Sequence, residues 1–513
     1  MERYLSLDER KHVCGRKLRL RNRAIFFTLF SLFLKARSYR LITKNEQQAS
    51  LRAKVKRILL HEQMVLQLTL KNLYILPAKF MRYLYTAAFL LPFFFFGNLF
   101  SQEQTSIIAI RAGKLIDGTG RPPIENPVIL IEGKKIIQVG SKLVVSANAK
   151  VIDLGDATLL PGLIDCHTHI THQRGNYWED NFKRSPIDRA ILAHLYAKKT
   201  LLAGFTTCRD VGSEAYIDVA LRDAINRGEI EGPRLFVSTN PLSITGGHGD
   251  LSHFSPYLEF TTKSGIADGV DEVIKKVREN FKYGADGIKI LATAGVLSEE
   301  ETVGAQQYSF EELKACVDEA ARHGKKVAAH AHGTEGIKVA VRAGVASIEH
   351  GSMLDDEAIR LMKEKGTYYI PTLYVGDALL SEGNTLQLPE ALLNKAKVVV
   401  PKMRESFKKA VKAGVNIAFG TDAGVFPHGV NAKEFSVMVK EGMLPMQAIQ
   451  SATLAAAKLL GKESELGTIE VGKFADIIAV HGNPLTDISV LEKISFVMKE
   501  GKVYSPNPLD KEK

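Results

Sequence analysis

An α/β fold is predicted by the sequence: a (β/α)8 TIM barrel with a small β-sandwich domain formed from both flanking segments. Eight short, apolar, β-rich segments follow one another between residues 163 and 424, and amphipathic helical stretches separate them. Eight such units over about 300 residues match the alternation and size of this barrel. A doubly wound sheet is disfavoured, because no glycine-rich phosphate turn follows a first strand.

The first 103 residues differ from the rest. Residues 1–80 carry 18 of the 68 Lys and Arg but only 5 of the 57 Asp and Glu, and we expect this basic extension to lie outside the fold. Residues 81–103 place one arginine before an apolar run that ends in small and polar residues, which is the order of a secretory signal. We therefore expect a signal peptide, with translation starting at Met81, or else an uncleaved membrane anchor over residues 83–100.

Either interpretation places the barrel outside the cytoplasm, as an exported (periplasmic or secreted) or membrane-anchored protein. The net charge of +11 comes from the extension, since 50 basic and 52 acidic residues remain after it. The body therefore gives no electrostatic argument for binding nucleic acid or an anionic membrane. The four cysteines form no C-x-x-C pair, and we infer no disulfide framework.

In chain order, residues 104–160 contain short β-like runs punctuated by glycine, and residues 465–505 return to the same texture. We predict that these two segments form the small β domain and that residues 161–464 form the barrel. The barrel strands are expected at 163–169, 205–211, 234–239, 287–293, 326–332, 347–351, 368–373 and 417–424. Amphipathic stretches such as 309–324 and 335–344 are expected to form helices between them.

Metal-binding side chains recur at the ends of these strands. His167 and His169 in "LIDCHTH" are two residues apart, so they share one face of a strand and make half of a metal site. Lys289 lies inside an apolar strand, where burying a charged amine is unfavourable, so its presence indicates a specific role. Functional residues of such barrels lie at the carboxyl ends of the strands. We therefore expect one metal site built from His167, His169, Lys289, His330 or His332, His350 and Asp422.

The motifs "PGLIDCHTH", "DGIKI", "VAAHAHG", "SIEHG", "GTDAG" and "GTIEVGKFADIIAV", spread over residues 105–505, together resemble the amidohydrolase superfamily of metal-dependent hydrolases. The resemblance implies two divalent metal ions, taken as zinc. It places the more buried ion on His167, His169 and Asp422, and the other on His330 and His350. Lys289, carboxylated by carbon dioxide, would bridge the two ions as a carbamate.

The segments "GFTTCRDVG", "SITGGHGD", "GIKILATAGVLS" and "HAHGTEGI" resemble the Xaa-Pro dipeptidase-like and metallo-carboxypeptidase branch. This implies that a metal-activated hydroxide hydrolyses an amide bond in a small substrate, a dipeptide such as Xaa-Pro or an N-acyl amino acid. Asp422 would move the proton and His248, in a glycine-rich loop, would assist the oxyanion. His332 and Tyr374 are candidate substrate contacts, Trp178 is a weaker one, and relatives of this kind often form homo-oligomers.

Other functions are open at this stage. A mononuclear deaminase, or a cyclic amidase such as imidazolonepropionase, would use a glutamate at the H-x-x-E spacing, where Glu335 follows His332. Lys289 argues against this, since a mononuclear site needs no bridging carbamate. A barrel that only binds is disfavoured because all six ligands are present, and a nucleic-acid or membrane binder would depend on residues 1–80 alone. We expect His323, His428 and His481 to be ordinary surface histidines.

Overall fold

A computed structural model describes residues 107–175, 183–250, 255, 257, 265–298, 302–382 and 388–505. The basic extension, the apolar segment 81–103 and Trp178 lie outside the described residues. None of the helices within these ranges has the length and apolar character needed to cross a membrane.

Two sheets make up the small β-sandwich. The four-stranded sheet has the order β5-β4-β1-β6, and the six-stranded sheet has the order β17-β16-β15-β7-β2-β3. Their strands are β1 (Ile107–Arg111), β2 (Lys114–Leu115), β3 (Ile124–Glu125), β4 (Val128–Glu132), β5 (Lys135–Gly140), β6 (Lys150–Asp153), β7 (Thr158–Pro161), β15 (Ile477–Val480), β16 (Ile494–Lys499) and β17 (Lys502–Ser505).

Apolar residues of both sheets, among them Ile131, Leu159, Ile477 and Phe496, form one buried cluster between them. The carboxyl-terminal strand β15 pairs antiparallel with β7 along Ile477–Val480 and Thr158–Pro161. The sandwich is therefore built from both flanks of the chain, as predicted. The exact domain limits at 104–160, 161–464 and 465–505 stay a prediction.

Among the described residues, seven regular strands run parallel in the barrel. They are β8 (Leu163–Thr168), β9 (Phe205–Asp210), β10 (Arg234–Val237), β11 (Ile288–Leu291), β12 (Val327–Ala331), β13 (Ser347–His350) and β14 (Tyr368–Ile370). They form a three-stranded sheet of order β10-β9-β8 and a four-stranded sheet of order β11-β12-β13-β14. These two sheets are joined by a parallel bridge between Leu242, which follows β10 in the chain, and Ile290 on β11.

The predicted eighth strand, 417–424, is not a regular strand. It makes single parallel bridges to its two neighbours, from Ile417 to Tyr369 and from Ala423 to Thr168. Between them Asp422 has a φ of 65°, a left-handed conformation that interrupts a ladder. The two bridges nevertheless connect β14 to β8 and close the ring, which confirms the predicted fold class.

The helices lie between the strands, as in a βα barrel, and several begin and end where the sequence signals it. Ser185 and Ser309 form capping boxes with Asp188 and Glu312. The described helices are α1 (Pro186–Leu202), α2 (Ile217–Asn226), α3 (Gly269–Lys282), α4 (Phe310–Arg322), α5 (Thr334–Ala343), α6 (Asp356–Lys365), α7 (Leu373–Glu382), α8 (Glu390–Ala413), α9 (Lys433–Lys440), α10 (Pro445–Gln450) and α11 (Ala456–Leu460). A π-helical turn, Ser451–Ala455, joins α10 to α11, and a 3-10 turn covers Ile488–Glu492.

Candidate metal centre

Five of the six predicted metal ligands lie at or just after the carboxyl ends of barrel strands, and the sixth, Lys289, is the second residue of its strand. β8 places His167 and His169, β11 places Lys289, and the adjoining strands β12 and β13 place His330 and His350. Asp422 follows from the segment that closes the ring. All are buried except His169, whose side chain is 26 % exposed. One end of the barrel therefore gathers the four histidines and Asp422, and the charge of Lys289 interacts with that of Asp422.

Two histidines converge on Asp422. His167 Nε2 lies 3.3 Å and His169 Nε2 lies 3.2 Å from Asp422 Oδ1. The other ring nitrogens are donors, because His167 Nδ1–H donates to Glu349 Oε2 at 2.7 Å and His169 Nδ1–H donates to the Gly212 carbonyl at 2.9 Å. The Nε2 atoms are therefore the ring positions available to a metal ion, and both face a carboxylate oxygen. Such a set of lone pairs fits a cation, and separations near 3.2 Å fit ligands that each lie about 2.1 Å from it.

A second group contains His330, His332 and His350, whose ligand atoms lie within 4.8 Å of one another. His350 also belongs to a group with His167 and Asp422, so it lies between the two clusters. His350 Nδ1 shares a hydrogen bond of 2.8 Å with Thr372 Oγ1, and His332 Nδ1 shares one of 2.7 Å with Ser352 Oγ. These anchored rings resemble the supported histidines of metal sites.

Two ligands owe their direction to an unusual backbone. Glu349 and His350 are adjacent, yet both side chains reach the barrel interior, whereas strand neighbours normally point to opposite faces. His350 has a φ of 70°, and Asp422 has a φ of 65°. Left-handed φ values are uncommon for residues with a side chain, and such strain is concentrated at functional sites.

The charge states in the cluster suit metal binding. Burial and neighbouring histidines hold the pKa values of His330 and His350 well below the ordinary value, so both rings are neutral. Burial raises the pKa of Asp422, but the contacts with His167 and His169 outweigh it and hold that pKa well below its usual range. Neutral imidazole and ionised carboxylate are the forms that bind metals. Burial lowers the pKa of Lys289 to about 8, despite the raising effect of nearby carboxylates.

His248 lies beside this centre, where the loop prediction placed it. Its ring stacks on His330 with a centroid distance of 4.1 Å, and its backbone N–H donates to Gln307 Oε1 at 3.1 Å. A Cβ on Gly295 would lie 2.2 Å from His248 Cε1, so the ring rests directly on this glycine. Burial lowers the pKa of His248 to about 4, which leaves a neutral ring with one N–H to donate.

Tyr374 lies at the start of α7, two residues after the Thr372 that supports His350. Its hydroxyl accepts a hydrogen bond of 3.0 Å from Lys433 Nζ, and its ring packs edge-on against Phe426 at 4.9 Å. Tyr374 and Phe426 belong to an apolar cluster that also contains Val296 and Ala423. Since Ala423 adjoins Asp422 and Val296 adjoins Gly295, this apolar wall borders the candidate metal centre.

Three buried residues beneath the cluster were missed by the sequence interpretation. Glu349 contacts His167 from below, and Arg209 pairs with Glu349 at 2.7 Å. Asp165 accepts from the backbone N–H of His167 and from that of Thr421, and so ties β8 to the eighth segment. A signal is present in the sequence, because "LID", "CRD" and "SIEH" each place charged side chains in an apolar strand, as "GIKI" does with Lys289.

The structure also locates Glu335 and the three histidines that were expected at the surface. Glu335 is on α5, its side chain is 72 % exposed, and it pairs with Lys338 at 3.2 Å. This position is unsuited to a proton shuttle in the barrel mouth. His323 and His481 are exposed as expected, but the prediction for His428 was wrong. That residue is 4 % exposed, because its Nε2–H donates to the His172 carbonyl at 2.7 Å and its ring stacks on Tyr196.

Residues 158–504 match the model of the amidohydrolase family. The chain belongs to the amidohydrolase family. Ochratoxinase from Aspergillus niger is 34 % identical to this amidohydrolase over 430 residues, which cover 79 % of this chain and 88 % of that protein. The family assignment and this relative establish a hydrolase that acts on carbon–nitrogen bonds, and amide-bond hydrolysis as its reaction.

Solved structures agree with this assignment. A Xaa-Pro dipeptidase with bound methionine in the active site is 44 % identical, has a TM-score of 0.75, and is matched over 78 % of this chain and 100 % of that chain. A prolidase complexed with N-methylphosphonate-L-proline is 34 % identical, with a TM-score of 0.73 and coverage of 78 % and 100 %. This amidohydrolase therefore lies in the dipeptidase-like branch that its motifs predicted.

Proposed function

We propose that this amidohydrolase binds two divalent metal ions, with zinc as the first candidate, and hydrolyses the amide bond of a dipeptide such as Xaa-Pro or of an N-acyl amino acid. The observation that carries the proposal is the convergence of the Nε2 atoms of His167 and His169 on Asp422 Oδ1, at 3.3 and 3.2 Å. Substrates of this size suit a mouth bordered by an apolar wall and a tyrosine hydroxyl.

The donor set fits two metal ions. His167, His169 and Asp422 would hold the more buried ion, and His330 and His350 would hold the other. Among the described residues, the buried Nε2 atoms of His167 and His330 have no hydrogen-bond partner, as expected of ligand atoms. Lys289 is 2 % exposed, and lowering its pKa to about 8 makes the neutral amine, the form that reacts with carbon dioxide to give a carbamate, more available near neutral pH than in an exposed lysine.

The bound ions would polarise the scissile carbonyl and lower the pKa of the attacking water. In this proposal Asp422 accepts the proton of that water and returns it to the leaving amine. Its left-handed backbone holds the carboxylate at the centre, next to both histidines of β8. The neutral His248 ring, fixed between Gly295 and His330, donates to the developing oxyanion.

The residues around the candidate metal centre also supply candidate substrate contacts. Tyr374 can donate its hydroxyl hydrogen to a substrate carboxylate, because the hydroxyl oxygen already accepts from Lys433. The lysine adds positive charge at the same place, which favours an anionic group. The apolar wall of Phe426 and Val296 would pack against a substrate side chain, and His332 would line the opposite side of the histidine cluster.

The test measures metal content and activity together on purified wild-type protein and on Lys289→Ala. Substrates are Xaa-Pro dipeptides, Xaa-Arg dipeptides and N-acyl amino acids. We expect two metal ions per wild-type chain, turnover of at least one substrate class, and loss of both metal and activity in the variant. One metal ion per chain with no effect of Lys289→Ala would contradict the binuclear site.

We also propose that the protein is exported. Support comes only from the sequence order of residues 81–103, one basic residue, an apolar run and a polar end. Amino-terminal sequencing of the protein recovered from separated cell fractions tests it. A mature chain beginning close to residue 103 outside the cytoplasm supports export, and an uncleaved chain in the cytoplasm contradicts it.

A further inference from the structure

Two buried charged side chains cross the barrel interior beneath the candidate metal centre. Arg209 is on β9, the second barrel strand, and Glu349 is on β13, the sixth. Glu349 is fully buried and Arg209 is 8 % exposed. Barrel interiors are usually filled by branched apolar side chains, so a charged pair in this place needs an explanation.

The Arg209 guanidinium holds Glu349 from one side. Its Nη2–H donates to Glu349 Oε1 at 2.7 Å and its Nη1–H donates to Ser347 Oγ at 3.1 Å. Its Nε–H donates to the carbonyl of Cys166 at 2.6 Å, the residue directly before His167. One side chain therefore fixes both the carboxylate on β13 and the backbone of β8 that carries the histidine.

The second oxygen of Glu349 faces His167. It accepts from His167 Nδ1–H at 2.7 Å, while Nε2 of the same ring points at Asp422. A carboxylate in this position fixes the ring orientation, selects the tautomer with a lone pair on Nε2, and makes that nitrogen a stronger ligand.

We propose that Glu349, held by Arg209, is a positioning residue that acts through His167 and sets the affinity of the more buried metal site. This inference rests on the proposed metal-dependent function. An ion pair present only for stability is a poorer explanation, because buried ion pairs are seldom more stabilising than apolar side chains of similar volume.

The first test replaces both charges at once in Arg209→Met/Glu349→Leu, so that no lone charge is left in the interior. We expect the metal-free double variant to fold, which its cooperative thermal unfolding checks. We expect its affinity for Zn²⁺ at the tighter site, measured by competition with a chromophoric chelator, to fall about 10- to 100-fold. Unchanged Zn²⁺ affinity in the folded double variant overturns the proposal.

A second variant covers the case in which the double variant does not fold. Glu349→Gln keeps the shape of the side chain but replaces the carboxylate by a weaker acceptor, and we expect at least about a 10-fold loss of Zn²⁺ affinity. Wild-type affinity in Glu349→Gln overturns the proposal. The matched control is Arg404→Met/Glu441→Leu, which removes another largely buried ion pair of 2.8 Å between α8 and the end of α9 and leaves only the more exposed Asp377 and Lys408, their other partners.

The control should leave Zn²⁺ affinity unchanged whatever its effect on stability. Failure of this inference is distinct from failure of the proposed function. If wild type binds Zn²⁺ and the Glu349 variants bind it equally well, only the positioning role is wrong. If wild type itself binds no Zn²⁺, both proposals are overturned.

Discussion

Replacing Lys289 with methionine separates the stability of the barrel from its chemistry. Burial lowers the pKa of this amine from 10.5 to about 8, and the side chain is 2 % exposed. At 1.36 kcal/mol per pKa unit, keeping the ammonium buried destabilises the folded state by about 3 kcal/mol below pH 8. Methionine has a similar length and no charge, so Lys289→Met should remove this cost.

The pKa values of Lys289 in the folded and unfolded chain determine how the stability of the wild-type protein changes with pH. The unfolded chain keeps the proton up to the ordinary pKa of 10.5, whereas the folded chain releases it near pH 8. Wild-type stability therefore rises between these values, since the unfolded state binds more protons there. The stability gained by Lys289→Met should be about 3 kcal/mol at pH 7 and below about 1 kcal/mol at pH 10. The variant should also lose activity.

The assay is urea unfolding of chelator-treated protein at pH 7 and pH 10. Lys499→Met is the matched control, because Lys499 is 7 % exposed and burial also lowers its pKa to about 8. Its amine donates to the Gly232 carbonyl at 2.7 Å, so the gain there should be smaller by about 1 kcal/mol, with metal content and activity unchanged. If Lys289→Met is no more stable than wild type at pH 7, the argument from burial is refuted.

Three further predictions concern the mouth of the barrel. Asp422→Asn should fold but lower kcat about 10²- to 10⁴-fold, as measured by steady-state kinetics, and a kcat within threefold of wild type would exclude it as the proton carrier. Gly295→Ala should displace the ring of His248, because its Cβ would lie 2.2 Å from Cε1. We expect a loss in kcat of up to about 10²- to 10³-fold, comparable to that of His248→Ala, and full activity would contradict the oxyanion role. Glu335→Gln should leave kcat and KM within twofold of wild type, because the side chain is 72 % exposed and paired with Lys338; a large loss would revive the deaminase mechanism.

The sequence alone predicted the eight segments that form the barrel ring and most of the residues that meet at its mouth. The alternation of β-rich segments and amphipathic helices predicted the ring, and parallel strands necessarily bring their carboxyl ends together. His167 and His169 could be placed on one face because side chains alternate along a strand. Helix starts at Ser185 and Ser309 were also encoded locally, in capping boxes.

Only the tertiary structure decided the backbone conformation of the eighth segment and the partners and burial of several polar side chains. The eighth strand became two single bridges, since Asp422 adopts a left-handed backbone that sequence periodicity cannot reveal. The pairing of Glu349 with Arg209 and with His167 joins strands far apart in the chain, so no local spacing predicts it. For the same reason His428 was misplaced, because only the folding of two distant loops onto each other buries it. Local propensity determines the elements, whereas long-range contacts determine which polar side chains are buried, what they pair with, and how their protons are held.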